Sequence, residues 1–467
     1  MSVRSAKSQH ALPRREALRV GGLSLLGLGA DRLAGLRAAA PNRIQQARSC
    51  VFVFLFGGPS QIDLWDMKPA APVEIRGDFK PVSTRVPGIQ ICEHLPRLAE
   101  QMDKLCLLRS MTHRMNVHGP ATSEIFTGRE YFAAPTTDQA DPQDWPSVSA
   151  MTMRYGPTRS GFPPSVVLPW YLQFPGQSRR IAGQTGGRMG ERHNALLIQG
   201  DAEKLDFQTD GFDLSGSVSL QRVRGRRDLL SGLQQAPGGR PVSASVVEEF
   251  SRHRENAYAL LNNRAGQILN LDGESAKTRD RYGQSMFGQS LLMTRRLIEA
   301  GVPLVTVNWE DETKIDNTDT CWDTHKDNFS KLKDHLCPIF DQSFPTFLAD
   351  LDERGLLDST LIVAVGEFGR TPHMGQFSQS ANTKKSGRDH WPSAFTALLA
   401  GGGVRGGQVY GATNHHAAMV QEKPVSPADL SATIFHHLGI DHRQHYVDEF
   451  QKLPHRLSEG RPLIDLG

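Results

Sequence analysis

Three short stretches place histidine and carboxylate donors close together in the chain. Asp323-Thr324-His325 offers two donors in one loop, Glu367 stands alone in Gly366-Glu367-Phe368-Gly369-Arg370, and His390 follows Asp389 in Gly387-Arg388-Asp389-His390-Trp391-Pro392. Mixed imidazole and carboxylate sets suit zinc, manganese or iron, whereas all-oxygen sets suit calcium or magnesium. Any one of these residues is explained equally well as a helix cap or a hydrogen-bonding group. Their joint placement is what suggests a metal site at Asp323, His325, Glu367 and His390.

Other conspicuous residues carry less. His415-His416 and His436-His437 read as surface or helix-packing residues, and Arg222–Arg227 as a solvated face. The five cysteines show no paired zinc-type spacing, and spacing alone does not establish a bridge between Cys321 and Cys337.

The elements that must position the donors are legible from hydrophobic pattern. Ser49–Phe56 is a continuous β-branched and aromatic run, expected for a central strand buried on both faces. Leu105–Ser110, Val302–Trp309, Thr360–Val365 and Ala394–Leu399 are four further strands, with helices expected over Gln284–Ala300 and Asp341–Arg354. Strands alternating with amphipathic helices predict an α/β fold, a three-layer αβα arrangement around a mainly parallel sheet. The polar stretches all follow strand candidates, and the crevice of an open α/β sheet lies beyond the carboxyl ends of its strands. The stretch from Thr136 to Arg264 is irregular and reads as loops, a few helices and edge elements rather than a separate domain.

The 467 residues carry a net charge of +3, too balanced for a nucleic-acid surface. Much of the excess lies before Cys50. There Arg14-Arg15 precedes the mildly apolar Val20–Ala30, and Ala38-Ala39-Ala40 follows. That layout predicts a twin-arginine signal over residues 1–45, export to the periplasm or beyond, and one domain over 46–467 with no stable membrane span in its mature form.

The stretch from about Ser49 onward resembles an exported bacterial family, domain of unknown function 1501. The resemblance rests on FLFGGPSQIDLWD (54–66), RDRYGQSMFGQSLLMTRRLIEAGVPLVTVNW (279–309), WDTH (322–325), GEFGRTP (366–372), GRDHWP (387–392), LLAGGGVRGGQVYG (398–411) and VSPADLSATIFHHLGI (425–440). It implies an alkaline phosphatase/sulfatase-like fold. His118-Gly119-Pro120 through Thr127-Gly128 is similar to the sulfatase nucleophile motif, with His118 at the nucleophile position and Thr122 where an arginine is usual. Gly57-Gly58 stands where that superfamily usually has an acidic ligand, so Asp63 or Asp66 would have to substitute.

The resemblance implies a divalent metal ion (zinc, manganese, calcium or magnesium) held by Asp323, His325 and His390, with Glu367 and Asp63 as further ligands or a base. His118 would be a ligand, a general acid or a covalent nucleophile, and Arg370 or Arg388 would bind an anionic group. Two functions follow. One is a metal-dependent hydrolase of phosphate or sulfate esters, acting on a small molecule or a polysaccharide. It would not be an ordinary sulfatase, which needs an oxidised Cys or Ser at position 118. The other is a non-catalytic accessory or binding protein that keeps the fold.

Overall fold

Strand β1 (Ser49–Leu55) is buried at every position. Its side chains alternate: Val51, Val53 and Leu55 enter one hydrophobic cluster, and Cys50, Phe52 and Phe54 enter a second. A strand covered on both faces needs apolar residues on both, which is why this run does not alternate with polar residues. The computed structural model describes residues 47–131, 140–158, 161–174, 180–208, 219–234, 258, 260, 265–310, 321–379 and 383–467. The signal expected over residues 1–45 lies outside them, as does much of the irregular stretch between 209 and 264.

The other strands of the central sheet are β2 (Leu105–Met111), β3 (Ser165–Leu168), β4 (Leu196–Leu197), β5 (Leu304–Trp309), β6 (Thr360–Val365), β7 (Phe395–Ala400) and β8 (Gln408–Tyr410). Their spatial order is β8-β2-β7-β6-β1-β5-β3-β4. β1 lies between β6 and β5 and is parallel to both, with Val53 opposite Ala364 on one side and Val307 on the other. β7 runs antiparallel to β6 and to β2, while the remaining pairings are parallel. The expected mainly parallel sheet is therefore present. β3, β4 and β8 are additions, and β3 and β4 come from the stretch that reads as irregular in sequence.

Helices cover both faces. α3 (Met286–Glu299) and α4 (Cys337–Glu353) contribute Phe287, Leu291, Phe340, Phe344 and Phe347 to the cluster that holds Val51. α1 (His118–Thr127), α2 (Val148–Tyr155) and α5 (Pro427–Leu438) contribute Ile125, Phe126, Met151, Leu430 and Phe435 to the cluster that holds Phe54. α4 begins before the expected Asp341 and continues from a π-helical turn at Leu332–Leu336. Pro338 stands just after that π-helical turn, and Pro345 is carried inside the helix. α5 starts with a reciprocal Ser426–Asp429 capping box and stops at Gly439 in the left-handed region. Among the described residues no helix is long and apolar enough to cross a membrane.

Phe54 packs against Phe126 with ring centroids 4.7 Å apart, joining the central strand to α1 and so to His118. Phe54→Ala is expected to cost about 3–5 kcal/mol in equilibrium denaturation. A loss under 1 kcal/mol would show that this layer is not packed as described.

Candidate metal centre

The donors stand beyond the carboxyl ends of three neighbouring strands. β1 runs into Phe56-Gly57-Gly58, β6 into Gly366-Glu367-Phe368, and the Trp322-Asp323-Thr324-His325 loop lies against the β1 turn, where Trp322 N–H donates to Phe56 O at 2.9 Å. His390 is delivered by a two-residue ribbon in which it pairs with Arg370. His118 opens α1.

One donor atom from each of His118, Asp323, His325 and His390 lies within 4.8 Å of the others, and all four residues are buried. All three imidazoles turn Nε2 toward Asp323. His118 Nε2 is 3.1 Å from Oδ2, and His325 Nε2 and His390 Nε2 are 3.1 and 3.5 Å from Oδ1. Each Nδ1 is held from behind. His118 Nδ1 meets Glu367 Oε1 at 2.5 Å, His390 Nδ1 donates to Asn116 O at 2.7 Å, and His325 Nδ1 meets Thr383 Oγ1 at 3.0 Å. A carbonyl oxygen only accepts, so His390 carries its proton on Nδ1 and leaves the Nε2 lone pair toward the centre.

The residues fit a metal ion. His118 Nε2 and His390 Nε2 are buried without a hydrogen-bond partner, an arrangement that is costly unless something else satisfies these atoms. Three imidazole nitrogens and a carboxylate oxygen are a zinc- or manganese-type set, and rear hydrogen bonds that orient the ligating imidazoles are the usual companions of such sites. Without an ion, charge is shared unevenly. Burial works against a charged His118, but Asp323 and Glu367 outweigh it and raise its pKa to about 9. Burial and the neighbouring His118 push His390 down to about 3. Burial also opposes the Asp323 charge, yet Arg370 and His118 hold that carboxyl well below its usual range.

The other expected site residues are placed differently. Glu367 stands behind His118 rather than among the four donors, and both its oxygens accept from Gly57 N–H at 2.9 and 3.1 Å. Asp63 does not reach the centre. Its carboxylate takes Arg388 Nε and Nη2 at 2.8 and 2.9 Å, together with Ser60 Oγ and Asn328 Nδ2. Arg388 is fully buried, and its remaining bonds go to Thr371 O, Pro372 O and Ile75 O, so no N–H is left for a substrate. Arg370 is fully buried too. It bonds Gly57 O, Gly58 O and Arg388 O, and its Nη2 lies 2.6 Å from Asp323 Oδ1 as an ion pair. It is a built-in cation of the centre rather than an arm for an anion. Asp389 lies 3.6 Å from His325 Nδ1, beside that imidazole rather than its own neighbour's.

The glycines after β1 now have a reason. Gly57 has φ +109°, and a Cβ there would sit 2.5 Å from Asp323 N and 2.6 Å from Trp322 N. An acidic residue has no room at this turn, because the Asp323 loop and the Glu367 carboxylate close on its backbone. Asn116 and Thr383, the rear anchors of His390 and His325, carry no signal in the sequence. Asn116 acts through its carbonyl, which any residue provides, and Thr383 belongs to no polar motif.

The profile of a family described as "Protein of unknown function (DUF1501)" matches residues 47–466. No curated protein matches the chain. Among solved structures, the chain is similar to Ps i-CgsB, at 11% identity over 90% of this chain and 76% of that one, with a TM-score of 0.40. It is also similar to the PsFucS1 sulfatase from Pseudoalteromonas sp., at 12% identity over 92% and 72% and a TM-score of 0.37. The alkaline phosphatase from the Antarctic bacterium TAB5 matches at 10% identity over 85% and 98%, with a TM-score of 0.35.

Two outcomes separate the centre from its support. Glu367→Gln is expected to weaken affinity for a divalent ion about 10–100-fold in a competition titration, since it loosens His118 without removing a donor; unchanged affinity would contradict the rear-anchor role. Asp63→Ala leaves Arg388 buried and unpaired, so about 3–5 kcal/mol of stability is lost in denaturation, while metal stoichiometry in the folded fraction is retained.

Proposed function

The chain belongs to the DUF1501 family, and from the four-donor centre it carries we propose that it is an exported metal-dependent hydrolase of phosphate or sulfate esters. The observation that supports this reading is the convergence of three Nε2 atoms and one carboxylate on a buried point where two of the imidazole nitrogens, His118 Nε2 and His390 Nε2, lack hydrogen-bond partners. A divalent ion bound there would polarise an ester oxygen and lower the pKa of a bound water.

The protein's own groups divide the remaining work. His118, Asp323, His325 and His390 hold the ion. Glu367, Asn116 and Thr383 fix the imidazole orientations. Arg370 offsets the Asp323 charge, which sets the net charge an ester would meet. With Glu367 on its Nδ1 and its Nε2 turned to the centre beside Asp323, His118 serves in ligation rather than in covalent attack. Direct attack by water is then the chemistry that fits.

A second reading, a non-catalytic metal-holding or binding protein, is favoured by one observation. Arg370, Arg388 and Glu367 are fully buried and engaged inside the protein, so none is free to hold or activate a substrate. Assays of the mature chain loaded in turn with zinc, manganese, calcium or magnesium, on aryl phosphates and aryl sulfates, discriminate the two. The hydrolase reading expects turnover that falls more than ~100-fold in His390→Ala and in Asp323→Ala while circular dichroism stays native. Bound metal without turnover on any ester supports the binding protein.

A further inference from the structure

A second polar site lies on the α1 side of the sheet. A cavity of about 220 Å³ is lined by Thr112, His113 and Arg114 after β2, by Glu124 of α1, by the Gly128-Arg129-Glu130 segment after it, and by the Ser426-Pro427-Ala428 start of α5. Glu124 is the unusual member. Its side chain is only 8% exposed, and Oε1 accepts Tyr131 N–H at 3.2 Å. Oε2 lies 3.6 Å from His113 Nδ1.

His113 cannot serve that oxygen. Its Nδ1 accepts Met115 N–H at 3.1 Å, and its Nε2 donates to Glu367 O at 2.5 Å. Both ring nitrogens are committed, and no proton stands on the Nδ1 that faces Glu124. A nearly buried carboxylate therefore presents one oxygen to a cavity with no protein donor among the described residues. Burial pushes its pKa up to about 7, the expected response of a carboxyl that lacks a cation.

The lining holds further charges: Glu130, Arg129, which pairs with Glu459 at 3.4 Å, and Arg114. Arg114 is exposed and has no ion-pair partner among the described residues. Pro427 and Ala428 add apolar surface to the lining, and Thr112 a hydroxyl. We propose that this cavity binds a small zwitterion of amino-acid size, with its ammonium group on Glu124 Oε2 and its acidic group on Arg114. The volume is below the usual range for drug-sized ligands, which restricts the occupant to a short chain. This site is separate from the metal centre, and the proposal stands whether or not that centre is catalytic.

Isothermal titration of the whole chain with β-alanine, ethanolamine and propionate tests it. Saturable binding of β-alanine is expected, weakened at least tenfold in Glu124→Gln, whose carbonyl still accepts Tyr131 N–H. Arg114→Ala, a surface change, is expected to weaken β-alanine severalfold and leave ethanolamine unaffected. The proposal is overturned if neither amine binds at millimolar concentration, if Glu124→Gln binds β-alanine as well as the parent does, or if propionate binds as tightly as β-alanine.

Discussion

Asp323 is the carboxylate that every other member of the centre touches. Its two oxygens face three imidazole Nε2 atoms and the Arg370 guanidinium, all in a buried pocket. A lone buried carboxylate would be neutralised by protonation, and so many donors without a common acceptor would repel one another. Asp323 removes both problems, and it stays ionised because positive charge surrounds it. The same crowding forces neighbouring imidazoles into different states, His118 favouring its proton and His390 refusing one. A divalent ion would replace that uneven sharing with a single central charge.

The rest of the fold brings chain segments to this carboxylate. Parallel strands β6, β1 and β5 end together, so the turns after Leu55 and Val365 meet beside the 321–325 loop. Gly57 allows that meeting because it has no side chain, and its N–H grips Glu367, which in turn grips His118. Arg370 is tied to the carbonyls of Gly57 and Gly58, so the cation that balances Asp323 is fastened to the same turn. Asp63 and Arg388 form a buried latch one layer further out, fixing the segment that leads directly into His390.

The fold was legible where hydrophobic pattern is strong. The runs at Ser49–Leu55 and Thr360–Val365 are apolar on both faces, and only a doubly covered strand needs that. The two-residue β4 and the short β3 escaped because they are too brief for periodicity to register and sit among Gly and Pro. Within the site, Asp323, His325 and His390 were legible because histidine beside carboxylate at a strand end is an uncommon pattern. Asp63, Arg370 and Arg388 were misassigned for one shared reason: sequence reveals a charge but not whether another buried charge already satisfies it. Glu367 was found as a residue, but its rank behind His118 depends on a turn geometry that only coordinates display.

X-ray absorption at the metal edge of the loaded, purified chain addresses the central claim most directly. The account predicts one ion per chain with three imidazole nitrogens and one carboxylate oxygen at about 2.0–2.2 Å, and loss of one imidazole from that shell in His118→Ala. An all-oxygen shell, or a His118→Ala spectrum identical to the parent's, would contradict it.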